Sequence, residues 1–258
     1  MPGTGSFYIR EGERTVAFTN SKLVSYTKIS PNRTSPRNRL IDTITIHCTA
    51  GRCSVESLGD IFARSSRQAS SNYGIGEDGR IGMYCEEKDR SWCSSSASND
   101  NRAITIECSS DKSAPFAIND KVYNSLVVLC ADICLRNGIP ELRWKADKGL
   151  IGQIDQQNMT VHKWFANKDC PGEYIYSRLG QIAEDTNRIL RNGQPKTNEE
   201  EDMVRWKTLD DVPKGYYRDE TARLIKEGVL KGKSGGTLDI TEDMLRTILI
   251  TERIAKKK

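Results

Sequence analysis

"ITIHCTAG", Ile44–Gly51, alternates isoleucine and threonine for the length of a short strand, then runs into a histidine and a turn of small residues. A period of two predicts a β-strand, and β-branched side chains suit a pleated, half-buried surface. His47 thus stands at a strand end, where a side chain is held rigidly at the rim of a sheet. The chain has only two histidines. The second, His162, lies in "TVHKWFANKDCPG", Thr160–Gly172.

Working outward, two more segments read as strands: "RAITIEC" (Arg102–Cys108) and "NYGIGEDGRIGMY" (Asn72–Tyr84). An Asp78-Gly79 pair predicts a hairpin turn in the second. Three segments carry helical spacing. In Ser54–Gln68 the apolar positions are Val55, Leu58 and Phe62, with Ser54 as N-cap. In Lys121–Gly138 they are Val122, Leu126, Leu129 and Ile133, with Gly138 as the stop. In Glu173–Leu190 they are Ile175, Leu179, Ile182 and Ile189. Strands alternating with amphipathic helices predict an α/β (α+β) fold, a central mixed β-sheet flanked by helices.

After Leu190 the texture changes. "RNGQPKTNEEEDM" is polar and punctuated by Gly and Pro, so residues 192–203 read as a linker. Residues 204–258 resume helical spacing, with one helix ending at Gly228 and another starting after Thr241, its Leu245, Ile248 and Leu249 facing inward. A unit this small is marginal alone; it packs on the first domain or on a copy of itself, which makes a homodimer one expectation. Residues 1–40 hold seven Lys/Arg against two Asp/Glu and read as a basic segment packing on or leading into a domain that spans 41–191.

The net charge of +4 is too small to imply nucleic acid, and no partner of that kind is expected. No apolar run approaches the ~18 residues of a membrane span. The first residues lack the charged and apolar regions of a secretory signal, so the expectation is synthesis in the cytoplasm. None of the eight cysteines forms a Cys-x-x-Cys pair, and Cys130 and Cys134 sit one helical turn apart, which suits buried, reduced thiols. Cys53, Cys85, Cys93 and Cys108 read the same way. Cys48, next to His47 on a strand, is expected on the opposite face.

Neutral imidazole and thiolate are favoured zinc donors, and a catalytic zinc keeps one position open. His162 and Cys170 are eight positions apart, and Pro171-Gly172 turns the chain at once afterwards, so one loop brings both to a point. By themselves these residues leave two readings open, metal donors or hydrogen-bonded structural histidines.

The joint pattern goes further. From about Ile41 to Leu190 the sequence resembles the zinc N-acetylmuramoyl-L-alanine amidases of the amidase-2 type, which share a fold with peptidoglycan recognition proteins. The resemblance rests on "ITIHCTAG", "SNYGIGEDGRIG", "RSWCSSSASNDNR", "AITIE" and "VHKWFANKDCPG". It implies zinc ligands at His47, His162 and Cys170, a catalytic lysine at Lys168 and a catalytic glutamate at Glu107. In that chemistry the carboxylate moves a proton from water to the leaving amine, while the lysine and the metal stabilise the oxyanion. Some relatives carry a tyrosine at the start of the hairpin strand; here Ser71 holds that position and Tyr73 lies two residues on, so Glu107 is preferred for the role. Trp92, Asn99 and Asp100 either wall a substrate groove or are polar filler, and Trp144 and Trp164 read as core.

The C-terminal stretch Leu209–Arg246 loosely resembles an S-layer-homology-like unit, without its Thr-Arg-Ala-Glu signature and in one copy. This implies a cell-wall anchor, with dimerisation as the alternative. The whole implies a modular peptidoglycan hydrolase of the phage or prophage endolysin kind, released to the cell wall, that cleaves the amide between N-acetylmuramic acid and L-alanine. The rival is a recognition protein that binds peptidoglycan without cutting it.

Overall fold

In the computed structural model, residues 8–11, 14–193 and 206–230 are described, together with positions 238, 240, 241, 244, 245, 248 and 249. Chain contacts divide it into two units, Met1–Gly193 and Gln194–Lys258. Along the first unit come β1 (Tyr8–Glu11), β2 (Arg14–Ala17), β3 (Val24–Thr27), β4 (Arg33–Thr34), β5 (Thr43–Cys48) and α1 (Val55–Phe62). Then follow β6 (Tyr73–Ile75), β7 (Ile81–Met83), β8 (Arg90–Ser91), α2 (Ala97–Arg102), β9 (Ala103–Cys108) and α3 (Asp120–Asn137). The unit closes with β10 (Met159–Val161), α4 (Gly172–Tyr176) and α5 (Leu179–Gly193).

Six strands make the central sheet in the order β10-β5-β9-β6-β7-β3. It is mixed: β10, β5, β9 and β6 run parallel, β7 turns back against β6, and β3 lies parallel to β7. Helices cover both faces. On one, Ile44, Ile46, Ile104 and Ile106 are fully buried and share a core with Leu126, Leu129 and Ile133 of α3 and with Leu179 and Ile182 of α5. Each such side chain contributes roughly 1.5–3 kcal/mol by leaving water. On the other, Leu58 and Phe62 of α1 pack with Tyr84. Gly74 allows that approach, since a Cβ there would meet Leu58 at 2.5 Å and Tyr84 at 2.8 Å.

The helix ends follow local chemistry. Ser54 accepts from Ser57 N to cap α1, and Gly138, at φ 68°, stops α3. Glu173–Leu190 is not one helix, however. α4 is tied by Tyr174 N to Pro115 O at 3.0 Å, whereas α5 packs along α3, so the axis breaks between Tyr176 and Leu179. Past the break Leu190 is buried and Ile189 only partly so.

The segment before Ile41 is more than an arm. β3 is the edge strand of the central sheet, and Ser30, Asn32 and Arg37 are buried. Arg37 donates to the carbonyls of Glu87, Asp89 and Asn101 at 2.5–3.0 Å, so this cation carries loop backbone instead of meeting a partner. The stretch 192–203 begins inside α5, which runs to Gly193, and from 194 it lies outside the described residues.

In the second unit, α6 (Tyr216–Lys226) ends before Gly228. Trp206, Val212, Leu224, Leu230, Leu238, Ile240, Leu245 and Leu249 form a core of their own, with Ile248 partly buried against it. Trp206 bridges to Ile240 as an antiparallel pair. Among the described residues no helix is long and apolar enough to cross a membrane.

Candidate metal centre and active site

Parallel pairing of β10, β5 and β9 gathers the site at the carboxyl ends of three strands. His47 is the register partner of Glu107, and Val161, just before His162, is that of Ile46. After β10 the chain makes a helical turn over His162–Trp164, and Lys163 N donates to Cys170 O at 3.0 Å, folding the loop back on itself. Cys170 Sγ then lies 3.3 Å from His47 Nδ1. The two imidazole centroids are 5.2 Å apart at 61°.

Gly172 is what permits this return. Its φ is +79°, and a Cβ would come within 2.8 Å of Phe116 and 2.9 Å of Pro115 O.

Donor atoms of His47, His162 and Cys170 all fall within 4.8 Å of one another. Tetrahedral zinc, with bonds of about 2.0–2.3 Å, sets neighbouring N and S donors about 3.6 Å apart. The set therefore fits zinc in chemistry and in spacing. Both rings are in the ligand form. Burial, with His162 adjacent, takes His47 down to about 3, and burial followed by the Lys168 charge lowers His162. Ser95 Oγ lies 2.9 Å from His162 Nε2 and orients that ring.

Glu107 is the site's carboxyl group. Burial and then the neighbouring Cys48 push it up to about 8. Its Oε1 faces the Cys93 thiol at 3.9 Å, and its Oε2 is enclosed with no hydrogen-bond partner. His47 Nε2 is orphaned in the same way. His47, Cys93 and Glu107 accordingly make a second group whose donor atoms lie within 4.8 Å. Cys93 is thus not mere packing. Burial and Glu107 push its thiol well up, so it stays protonated and donates.

Lys168 is exposed on the loop between His162 and Cys170, with its charge close enough to depress His162. Tyr73 is elsewhere: fully buried, it donates to Glu87 Oε1 at 2.7 Å and accepts from Ser21 N. Asn99 and Asp100 are buried scaffolding, neither wall nor filler. Asn99 joins Thr45, Ser94 and Thr160, and Asp100 accepts from the amides of Cys93 and Ser94. Trp92 Nε1 donates to Thr34. Trp164 is buried and stacks on the half-buried Trp144 at 5.0 Å.

Cys48 packs against the core that holds Ile44 and Ile46, on the face expected for it, and keeps register with Cys108 across the β5–β9 ladder. All eight cysteines are free thiols.

The family model described as N-acetylmuramoyl-L-alanine amidase matches residues 36–173. A search of curated proteins gives no match. Among solved structures, a mutant endolysin from Bacillus subtilis is 15% identical at a TM-score of 0.47, covering 62% of this chain and 97% of that one. The N-acetylmuramoyl-L-alanine amidase LysC from Clostridium intestinale is 16% identical at 0.41, covering 61% and 94%. Drosophila peptidoglycan recognition protein SD is 15% identical at 0.42, covering 58% and 89%.

Proposed function

This chain belongs to the N-acetylmuramoyl-L-alanine amidase family, and from that premise we propose that it hydrolyses the amide joining the lactyl group of N-acetylmuramic acid to L-alanine of the peptidoglycan stem peptide. The observation that carries the reading is the convergence of His47, His162 and Cys170 within 4.8 Å, with the free Oε2 of Glu107 on the neighbouring strand. These three side chains would hold zinc. When bound, zinc supplies a Lewis acid for the scissile carbonyl and a lowered pKa for the water nucleophile.

The chain's own groups do the rest. Glu107, with a proton affinity near neutrality, takes a proton on Oε2 from the attacking water and returns it to the departing amine of L-alanine. Cys93 holds the other carboxylate oxygen, so the working oxygen keeps one direction. Lys168 offers its ammonium to the oxyanion as the carbonyl carbon becomes tetrahedral. Ser95 fixes the His162 ring. The C-terminal unit is assigned cell-wall binding, which concentrates the enzyme on an insoluble substrate.

Digestion of purified cell walls tests the reading. Mass spectrometry should find muropeptides cut at the lactyl amide and new L-alanine amino termini, and a chain ending near Gln194 should cut the same bond with weaker wall retention. A zinc-loaded protein that leaves every such amide intact would refute it.

A further inference from the structure

Of the two nitrogens of His47, only one serves the proposed amidase centre. Nδ1 lies 3.3 Å from Cys170 Sγ and so faces the first set of donors. Nε2 is buried with no hydrogen-bond partner, on a residue 1% exposed, and Glu107 Oε2 is buried in the same condition. Native folds seldom leave two such atoms unpaired. Register pairing sets these two residues side by side on β5 and β9. From the loop before α2, Cys93 Sγ approaches Glu107 Oε1 at 3.9 Å. The donor atoms of His47, Cys93 and Glu107 all fall within 4.8 Å of one another, as do those of the first set. Cys93 and Glu107 each keep partial exposure, which gives a small ion a way in. Imidazole, thiolate and carboxylate together suit a borderline-soft dication such as zinc, whereas magnesium prefers oxygen alone.

We propose that His47, Cys93 and Glu107 form a second, weaker metal site, filled only in excess zinc, and that filling it inhibits the enzyme by taking the Glu107 carboxylate away from proton transfer. The inhibition rests on the amidase reading above; the site itself does not. With both sites filled, His47 bridges the two ions through its two nitrogens. The second ion therefore displaces the proton left on the imidazole, the Cys93 thiol proton and the Glu107 proton, and all three pass to solvent. Bonds from the metal to nitrogen, sulfur and oxygen replace three bonds to hydrogen, with no change of oxidation state. The cost of that triple deprotonation makes this site the weaker one and lets dialysis empty it. It also gives Cys93 two states, a thiol that donates to Glu107 when zinc is scarce and a ligand when zinc is abundant.

The experiment titrates the full-length reduced protein with zinc against a chromophoric chelator. A parallel titration with cobalt follows the thiolate absorption, which counts bound sulfurs. The expected result is two equivalents of unequal strength, with the cobalt–thiolate band growing in two steps. Cell-wall hydrolysis should rise through the first equivalent and fall through the second, and magnesium should not reproduce the fall. Cys93→Ser and Glu107→Gln should each keep the first equivalent and weaken the second at least about tenfold, since even the outer partners of a metal ligand are worth that much. In Cys93→Ser the zinc concentration that halves that variant's own peak activity should rise by the same factor. A single equivalent that neither substitution touches overturns the proposal, as does a second equivalent that either variant binds like wild type. Hydrolysis that persists with both ions bound overturns the inhibition. A protein that takes up two ions as described yet cuts no wall counts against the amidase reading and leaves the site in place.

Discussion

The loop from His162 to Gly172 and the loop from Trp92 to Arg102 each bring a cysteine to His47, and they are built in opposite ways. The first is held by backbone. Phe165 N and Ala166 N donate to His162 O, Lys163 N to Cys170 O, and Gly172 N to Asp169 O. Its side chains at Asn167, Lys168 and Asp169 are left exposed. The second is held by side chains. The Asp100 carboxylate accepts from Cys93 N, Ser94 N and Ser94 Oγ, and Asn99 ties the loop to Thr45 of β5 and Thr160 of β10. A loop stabilised by its own backbone frees its side chains for metal and substrate; one stabilised through side chains has committed them to position.

That contrast breaks if the two cysteines behave alike. Cys170→Ser should lose zinc and lower wall hydrolysis about a thousandfold or more, because a three-ligand site cannot spare one, while metal-free thermal stability stays near wild type. Cys93→Ser should keep zinc and most activity, since a hydroxyl donates to Glu107 as a thiol does. Metal analysis and turnover on one preparation decide it.

Asp100→Asn sharpens the other half. An uncharged acceptor across from two amides and a hydroxyl should cost about 1–3 kcal/mol in urea denaturation, with activity per folded molecule nearly unchanged. If instead activity collapses at full stability, the loop belongs to the chemistry.

Glu107 lies between the two loops, and its linkage to pH is a further test. Its folded value of about 8 is above the ordinary 4.5, so the neutral carboxyl is the form the fold favours. The stability it contributes is complete below pH 4.5 and is lost as pH rises through about 8. Metal-free Glu107→Gln should therefore lose less stability than wild type between pH 5 and pH 8. His47, low at about 3, acts in the opposite sense but is common to both proteins. Denaturation in chelator at the two pH values measures the difference.

Much of the fold was legible because it is local. Period-two alternation in Ile44–His47 and Ala103–Glu107 marks β5 and β9, Ser54 marks the start of α1, and Gly138 the end of α3. Composition of the first forty residues was a poor guide to β3, because an edge strand is made by its pairing with β7 and not by its own pattern. The same limit applied to Glu173–Leu190, where spacing saw one helix and two different packing partners made two.

The sequence singled out His47, His162, Cys170, Glu107 and Lys168 through its resemblance to the amidases, carried by several short motifs spread from Ile44 to Gly172. Cys93 and Ser95 entered only with tertiary structure. Each acts on a residue 14 to 67 positions away, Cys93 on Glu107 and Ser95 on His162. Those meetings depend on the strand order β10-β5-β9. Spacing along a chain records which residues share a face. Which faces meet is decided by how the strands pair and the core packs, and that order also sets which sulfur His47 finds on either side.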